Sequence, residues 1–83
     1  MTKLDKMNLD RMNSNVDEYV EEKQLRSKLN DIYQEMLDES PSLKYILKTW
    51  ISDNDDKIKE CDVSIQFLSK EIKNFHLMVD IKN

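Results

Sequence analysis

An unbroken four-three alternation of positions in the second half of the chain limits what this chain can fold into. The positions are Leu47, Ile51, Asn54, Ile58, Cys61, Ile65, Leu68, Ile72, Phe75 and Val79. All but Asn54 are apolar, and a repeat averaging about 3.5 residues keeps them on one side of an α-helix that packs against another helix. The sequence therefore predicts an all-α protein in which these ten residues form a coiled-coil seam, called the α2 seam below because it lies on the second of two predicted helices (42–81).

Asn54 is the polar position of this seam, and two interpretations of it remain open. A buried Asn in a coiled coil fixes the register of the two helices at some cost in stability. Alternatively, Ser52 and Asp53 cap a new helix, which would give a three-helix arrangement with a break near 52–54. The phase is unbroken from Ile51 to Ile58, which favours one continuous helix.

Pro41 is the single proline of a chain that contains no glycine. Ser40 is a good N-cap, proline is favoured at the first helical position, and the residue before a proline avoids helical geometry. One helix should therefore end near Glu39 and another should begin at the proline. A connection this short returns the second helix antiparallel to the first. We predict helices over 15–39 and 42–81, a bend at 40–41, and residue i roughly opposite residue 81 − i.

The first 40 residues carry two apolar stripes that are out of step by about one residue. The upstream stripe is Leu9, Met12, Val16 and Tyr19; the downstream one is Leu25, Leu29, Ile32 and Met36, widened by Tyr33 and Leu37. Asn13, Ser14 and Asn15 are capping residues, so we expect the helix to start near Asn15. Residues 1–14 then form an arm, either a short helix or disordered. Either a break lies at 13–15, or one helix shifts phase near Glu22.

A second set of apolar residues lies opposite the α2 seam. The set is Val63, Phe67, Leu77 and Ile81, and Tyr45 and Trp50 flank the seam near the bend. A helix that is apolar on two sides is usually buried on two sides. We therefore predict that these six residues bind a partner. The hairpin would join a multi-helix bundle, either with a second copy or with another coiled-coil protein.

Charge and composition exclude several classes of protein. The net charge is −4, and residues 17–39 carry eight acids against three bases, which argues against direct binding to a nucleic-acid backbone. No apolar run approaches the ~20 residues of a membrane span, and residues 1–12 lack a hydrophobic signal core. One cysteine cannot form an internal disulfide. We expect an intracellular protein, cytoplasmic or nuclear, without a membrane partner.

No residue pattern predicts catalysis, a cofactor or a metal site. The segment "DNDDKIKE" lacks the glycine and the final bidentate glutamate of a calcium loop, and His76 has no second ligand at helical spacing. Cys61 has no cluster of cations to activate its thiol. The acids Glu18, Glu21, Glu22, Glu35 and Glu39 are mostly off the apolar stripes, as in a solvated helix face. We expect that the protein is not an enzyme.

Two hypotheses about function follow. The first is a non-enzymatic helical adaptor or structural subunit that acts through coiled-coil association. The second is a small acidic inhibitor or nucleic-acid mimic of the phage or virus type, whose acidic helix occupies a basic groove through Asp17, Glu18, Glu21 and Glu22. The first would depend on apolar positions, whereas binding by the second would weaken steeply with salt.

Overall fold

The chain forms an antiparallel hairpin of two long helices. The computed structural model describes the backbone of residues 1–82 and the side chains of residues 1–80. Helix α1 spans Lys3–Glu39, a 3-10 turn spans Pro41–Leu43, and helix α2 spans Lys44–Lys82. The molecule measures 63 × 16 × 12 Å. The predicted all-α hairpin is confirmed. The three-helix alternative is wrong, because α2 continues without interruption through residues 52–54.

Helix α1 begins twelve residues before the predicted start at Asn15. Thr2 caps it: its Oγ1 accepts a hydrogen bond from the Asp5 N–H at 3.1 Å, and the Asp5 carboxylate accepts one from the Thr2 N–H at 3.2 Å. This reciprocal pair is a capping box, which satisfies two otherwise unpaired backbone donors. Leu9 and Met12 are half-buried, and their packing favours helix upstream of the capping residues at 13–15. Residues 3–14 are therefore part of α1, not a separate arm.

The bend forms without any residue at positive φ in the described part of the chain. The Ser40 N–H donates to the Met36 carbonyl at 2.8 Å, and the Leu43 N–H donates to the Ser40 carbonyl at 3.0 Å. Pro41 occupies the first position of the 3-10 turn, where its missing N–H costs nothing. Because Ser40 leaves helical geometry at a negative φ of −131°, the bend needs no glycine.

The face of α1 that packs on α2 follows one continuous four-three pattern. Its half-buried members are Leu9, Met12, Val16, Tyr19, Lys23, Arg26, Asn30, Tyr33 and Leu37. The helix therefore neither breaks at 13–15 nor shifts phase near Glu22. The pattern keeps its phase, and three of its central positions are polar.

The predicted downstream stripe consequently lies beside the packed face of α1 and not on it. We call Leu25, Leu29, Ile32 and Met36 the outer stripe. Leu25 and Ile32 are exposed to 66% and 51%, whereas Leu29 and Met36, nearer the helix interface, are exposed to 36% and 37%. The packed face of α1 in this region is formed instead by Lys23, Arg26 and Asn30, followed by Tyr33 and Leu37. Hydrogen bonds and an ion pair from the polar positions replace many of the apolar contacts there.

The register of the hairpin differs from the prediction by a few residues. Lys23 pairs with Asp62, and the rings of Tyr33 and Trp50 lie 5.5 Å apart. Both α2 partners lie farther along the chain than residue 81 − i. The reason is that the connection extends from Ser40 through Leu43, so the centre of the hairpin lies beyond the predicted bend at 40–41.

Few side chains are fully removed from water. Among the described residues, the buried ones are Leu47, Asn54, Cys61 and Val79. The other six positions of the α2 seam are half-buried, as expected where two helices pack with no third element over them. Neither helix, over the described residues, is long and apolar enough to cross a membrane.

Candidate association surfaces and the polar layer

The middle of the hairpin is joined by a polar layer of Arg26 and Asn30 from α1 and Asn54 from α2. Arg26 Nη1 donates to Asn54 Oδ1 at 2.9 Å, and Asn54 Nδ2 donates to the Arg26 carbonyl at 2.7 Å and to Asn30 Oδ1 at 3.0 Å. Both the oxygen and the nitrogen of the Asn54 side-chain amide therefore form hydrogen bonds with α1. Only one alignment of the helices makes these bonds, so the layer fixes register.

Further polar pairs continue the layer on both sides. Arg26 Nε donates to Glu22 Oε1 at 3.0 Å, and Asn30 Nδ2 donates to Asp55 Oδ1 at 2.7 Å. Lys23 forms an ion pair with Asp62. In the part of the chain with described side chains, no buried side-chain nitrogen or oxygen lacks a hydrogen-bond partner. The layer can thus be polar without the penalty of an unsatisfied group.

Cys61 lies next to this layer in the α2 seam and is buried. Burial raises the pKa of its thiol, and the nearby negative charge of Glu22 raises that pKa further. The Arg26 guanidinium acts in the opposite direction but does not outweigh them. A thiol held in its protonated form is a poor nucleophile, so the site favours packing over covalent chemistry.

The outer stripe borders a groove near the bend. The groove encloses about 310 Å³ and is lined by Arg26, Leu29, Tyr33, Trp50, Asp53, Asn54 and Lys57. The Tyr33 and Trp50 rings are tilted by 47° and form its aromatic wall. Trp50 and Ile46 are about half exposed. This part of the hairpin therefore presents apolar residues from both helices beside an open groove whose lining is apolar at Leu29, Tyr33 and Trp50 and polar or charged elsewhere.

The predicted partner-binding residues lie in four places. Val63 and Phe67, exposed to 66% and 62%, border a second groove with Tyr19. Leu77 is exposed near the end of α2, Tyr45 is exposed near the bend, and Trp50 lies beside Tyr33. Ile81 lies outside the residues whose side chains are described. The structure thus brings Trp50 together with the outer stripe and leaves Tyr45 apart.

Sequence reasoning missed the outer stripe as an exposed surface. The phase difference between the two α1 stripes contained the needed information, because two stripes out of step on one helix cannot both face the same partner. To decide which stripe faces α2 near the bend, one must know that Arg26 and Asn30 form hydrogen bonds with Asn54. The positions of these three residues in the sequence do not predict this pairing.

The remaining candidates do not converge on a chemical site. Asp17, Glu18 and Glu21 are exposed, whereas Glu22 is engaged by Arg26. His76 is exposed. Across the described residues, no group of three His, Cys, Asp or Glu side chains could hold a metal ion. The features that could recognise another molecule are therefore the apolar surfaces and the acidic face of α1.

Comparisons with protein-family models, with characterised proteins and with solved structures find no significant match to this chain. Inferences about its function therefore depend on the residues and geometry described above.

Proposed function

We propose that this protein is a non-enzymatic helical adaptor or structural subunit that acts by coiled-coil association with another protein chain. The supporting observation is the exposure of large apolar side chains on both helices. They include the outer stripe on α1 and Ile46, Trp50, Val63, Phe67 and Leu77 on α2. Extended apolar surface of this kind marks sites of protein association.

Energetics support association over an isolated monomer. Burying a Leu, Ile or Phe side chain contributes about 1.5 to 3 kcal/mol, and a small domain is stable by only about 5 to 15 kcal/mol. The hairpin itself fully buries only three apolar residues among those described. Covering several more on a partner would add stabilisation comparable to that of the whole fold.

The polar layer suits an adaptor because it fixes how the apolar surfaces are displayed. Sliding α1 along α2 would break the bonds of Asn54 to Arg26 and Asn30. The outer stripe and Trp50 therefore keep one relative position, and a partner meets a preformed surface. A preorganised surface loses less conformational entropy on binding than a mobile one.

The second candidate is the acidic inhibitor or mimic. Its support is the exposure of Asp17, Glu18 and Glu21 on α1. The fourth predicted acid, Glu22, is less suited to this role because it already forms an ion pair with Arg26. It would have to exchange that partner for a basic residue of the target. This hypothesis uses a different surface from the first, so the same experiment can distinguish them.

The experiment is capture of partners by the tagged full-length chain, followed by in vitro reconstitution with each captured protein. At least one of Ile32→Glu and Phe67→Glu should reduce binding at least tenfold if apolar association is the function. Gln66→Glu, an exposed residue next to Phe67, adds the same charge and should bind normally. If the apolar variants bind normally while Glu18→Gln and Glu21→Gln or added salt abolish binding, the adaptor proposal fails in favour of the mimic.

A further inference from the structure

We propose that the partner of the outer stripe is the outer stripe of a second copy of this chain, packed antiparallel about a two-fold axis near Asn30 and Asp31. The inference deepens the proposed function and rests on it, because it names the partner for one of the exposed surfaces. The arrangement is isologous, so each copy uses the same residues.

The outer stripe is complementary to itself when reversed. Its spacings are four, three and four, a symmetric sequence, so antiparallel pairing places Leu29 opposite Ile32 and Leu25 opposite Met36 of the second copy. Each contact then occurs twice, once on each side of the axis. Leu25 and Ile32 are more than half exposed, and Leu29 and Met36 keep about a third of their surface exposed, so each residue of the stripe has surface available for this pairing.

In the antiparallel orientation, the charged residues beside the outer stripe form pairs of opposite sign, which favours this orientation. Lys28 and Glu35 are outside the packed face of α1, and both are exposed. Within one chain they are seven residues apart, about 10.5 Å along the helix, and neither has an ion-pair partner among the described residues. In the antiparallel dimer, Lys28 of each copy lies next to Glu35 of the other. Opposite charges at such flanking positions set orientation in coiled coils.

The groove beside the stripe accepts the facing side chain. Leu29 lines this groove together with Tyr33 and Trp50. Because Ile32 of the second copy lies opposite Leu29, it would enter this groove as a knob enters a hole. Ile32 and Trp50 would then lose their exposure together, and both helices of each hairpin would contribute to the interface.

The interface ends where the stripe ends. The next layer would place Glu22 of one copy near Glu39 of the other, and like charges there oppose further contact. The dimer should therefore join the bend-proximal parts of two hairpins and leave Val63, Phe67 and Leu77 exposed. Those residues remain available for a different partner.

The test is sedimentation equilibrium of the full chain with charge-reversed variants. We expect a monomer–dimer equilibrium for the natural sequence and a monomer for Ile32→Glu. Lys28→Glu and Glu35→Lys should each weaken dimerisation about three- to tenfold, as expected for two exposed ion pairs. The double variant should recover most of the loss. Lys70→Glu, an exposed reversal on α2, should leave dimerisation unchanged.

The other outcomes overturn this inference. A natural chain that stays monomeric up to millimolar concentration contradicts it, yet the adaptor proposal survives if the chain binds a captured protein through Phe67. A dimer abolished by Phe67→Glu and retained by Ile32→Glu places the interface elsewhere. Failure of the double variant to recover while circular dichroism shows intact helix excludes the antiparallel pairing of Lys28 with Glu35.

Discussion

The two halves of the hairpin pack α1 against α2 through residues of different chemistry. In the terminal half, residues 5–22 and 61–79, α1 turns its apolar residues Leu9, Met12, Val16 and Tyr19 towards α2. In the bend half, residues 23–39 and 44–60, α1 turns the polar residues Lys23, Arg26 and Asn30 towards α2, with Tyr33 and Leu37 nearer the bend. Its outer stripe lies beside this face and is partly open to solvent. One helix therefore contacts its neighbour through a single face whose chemistry changes along its length.

The comparison shows that apolar content does not by itself identify the packed face. The outer stripe is as regular as the upstream stripe, yet it is exposed, because bonds from Arg26 and Asn30 to Asn54 occupy the interface. Polar contacts of this kind contribute little net stability. They do specify one alignment, and they leave apolar residues free for another chain.

The largest effect is expected at Leu47, which is only 1% exposed and anchors the bend half. Leu47→Ala should lower the free energy of unfolding by about 2 to 5 kcal/mol, because it leaves a cavity in a site that cannot easily collapse. Leu25→Ala removes an equal side chain from the exposed outer stripe and should change it by less than about 0.5 kcal/mol. Urea denaturation at low protein concentration measures both. Equal losses would contradict the assignment of inner and outer faces.

Removing the amide of the polar layer should have the next largest effect. Asn54→Ala should cost about 1 to 3 kcal/mol, because Arg26 and Asn30 lose a bonded partner in the interface. Asn74→Ala, at an exposed site on the same helix, is the control and should cost little. Thermal unfolding followed by circular dichroism compares the two variants. If they melt alike, Asn54 is not holding the bend half in register.

A matched pair of isoleucines compares the two halves directly. Ile72 is half-buried in the α2 seam of the terminal half, and Ile32 is exposed in the bend half. Ile72→Ala should cost about 1 to 2 kcal/mol, less than a fully buried site, whereas Ile32→Ala should be near neutral for a dilute monomer. Raising the protein concentration should reveal a cost for Ile32→Ala alone, because association contributes to apparent stability. A concentration-independent cost at Ile32 would argue against that role.

The smallest effect concerns the pH dependence of Cys61. Burial and Glu22 raise the pKa of its thiol in the folded chain, so the folded state keeps a proton that the unfolded state loses first. The corresponding stability is fully present below the unfolded pKa and is lost as pH rises towards the folded pKa. Cys61→Ala should therefore show a shallower decline in unfolding free energy under alkaline conditions. Parallel declines in the two proteins would show that the thiol does not contribute.

The sequence was sufficient for the coarse fold because the relevant patterns are local. Seam spacing from Leu47 to Val79 predicted α2, and Ser40 with Pro41 predicted the bend. The start of α1 was missed because capping residues at 13–15 are compatible with a helix interior when neighbouring apolar residues pack. The inner face near the bend was missed because it depends on bonds between residues about 25 positions apart, such as Asn30 and Asp55.

The most direct test of the account is cross-linking of a mixture of unlabelled and ¹⁵N-labelled chains with a zero-length reagent that couples lysine to carboxylate. A cross-linked pair made of one unlabelled and one labelled peptide reports a contact between two chains. A pair in which both peptides carry the same isotope also includes contacts within one chain. We predict a mixed-isotope link between Lys28 and Glu35 in the bend half, together with a link between Lys23 and Asp62 that is confined to single-isotope peptides at low concentration. Mixed-isotope links confined to the terminal half, or none from the bend half at any concentration, would contradict the claim that the outer stripe joins two chains.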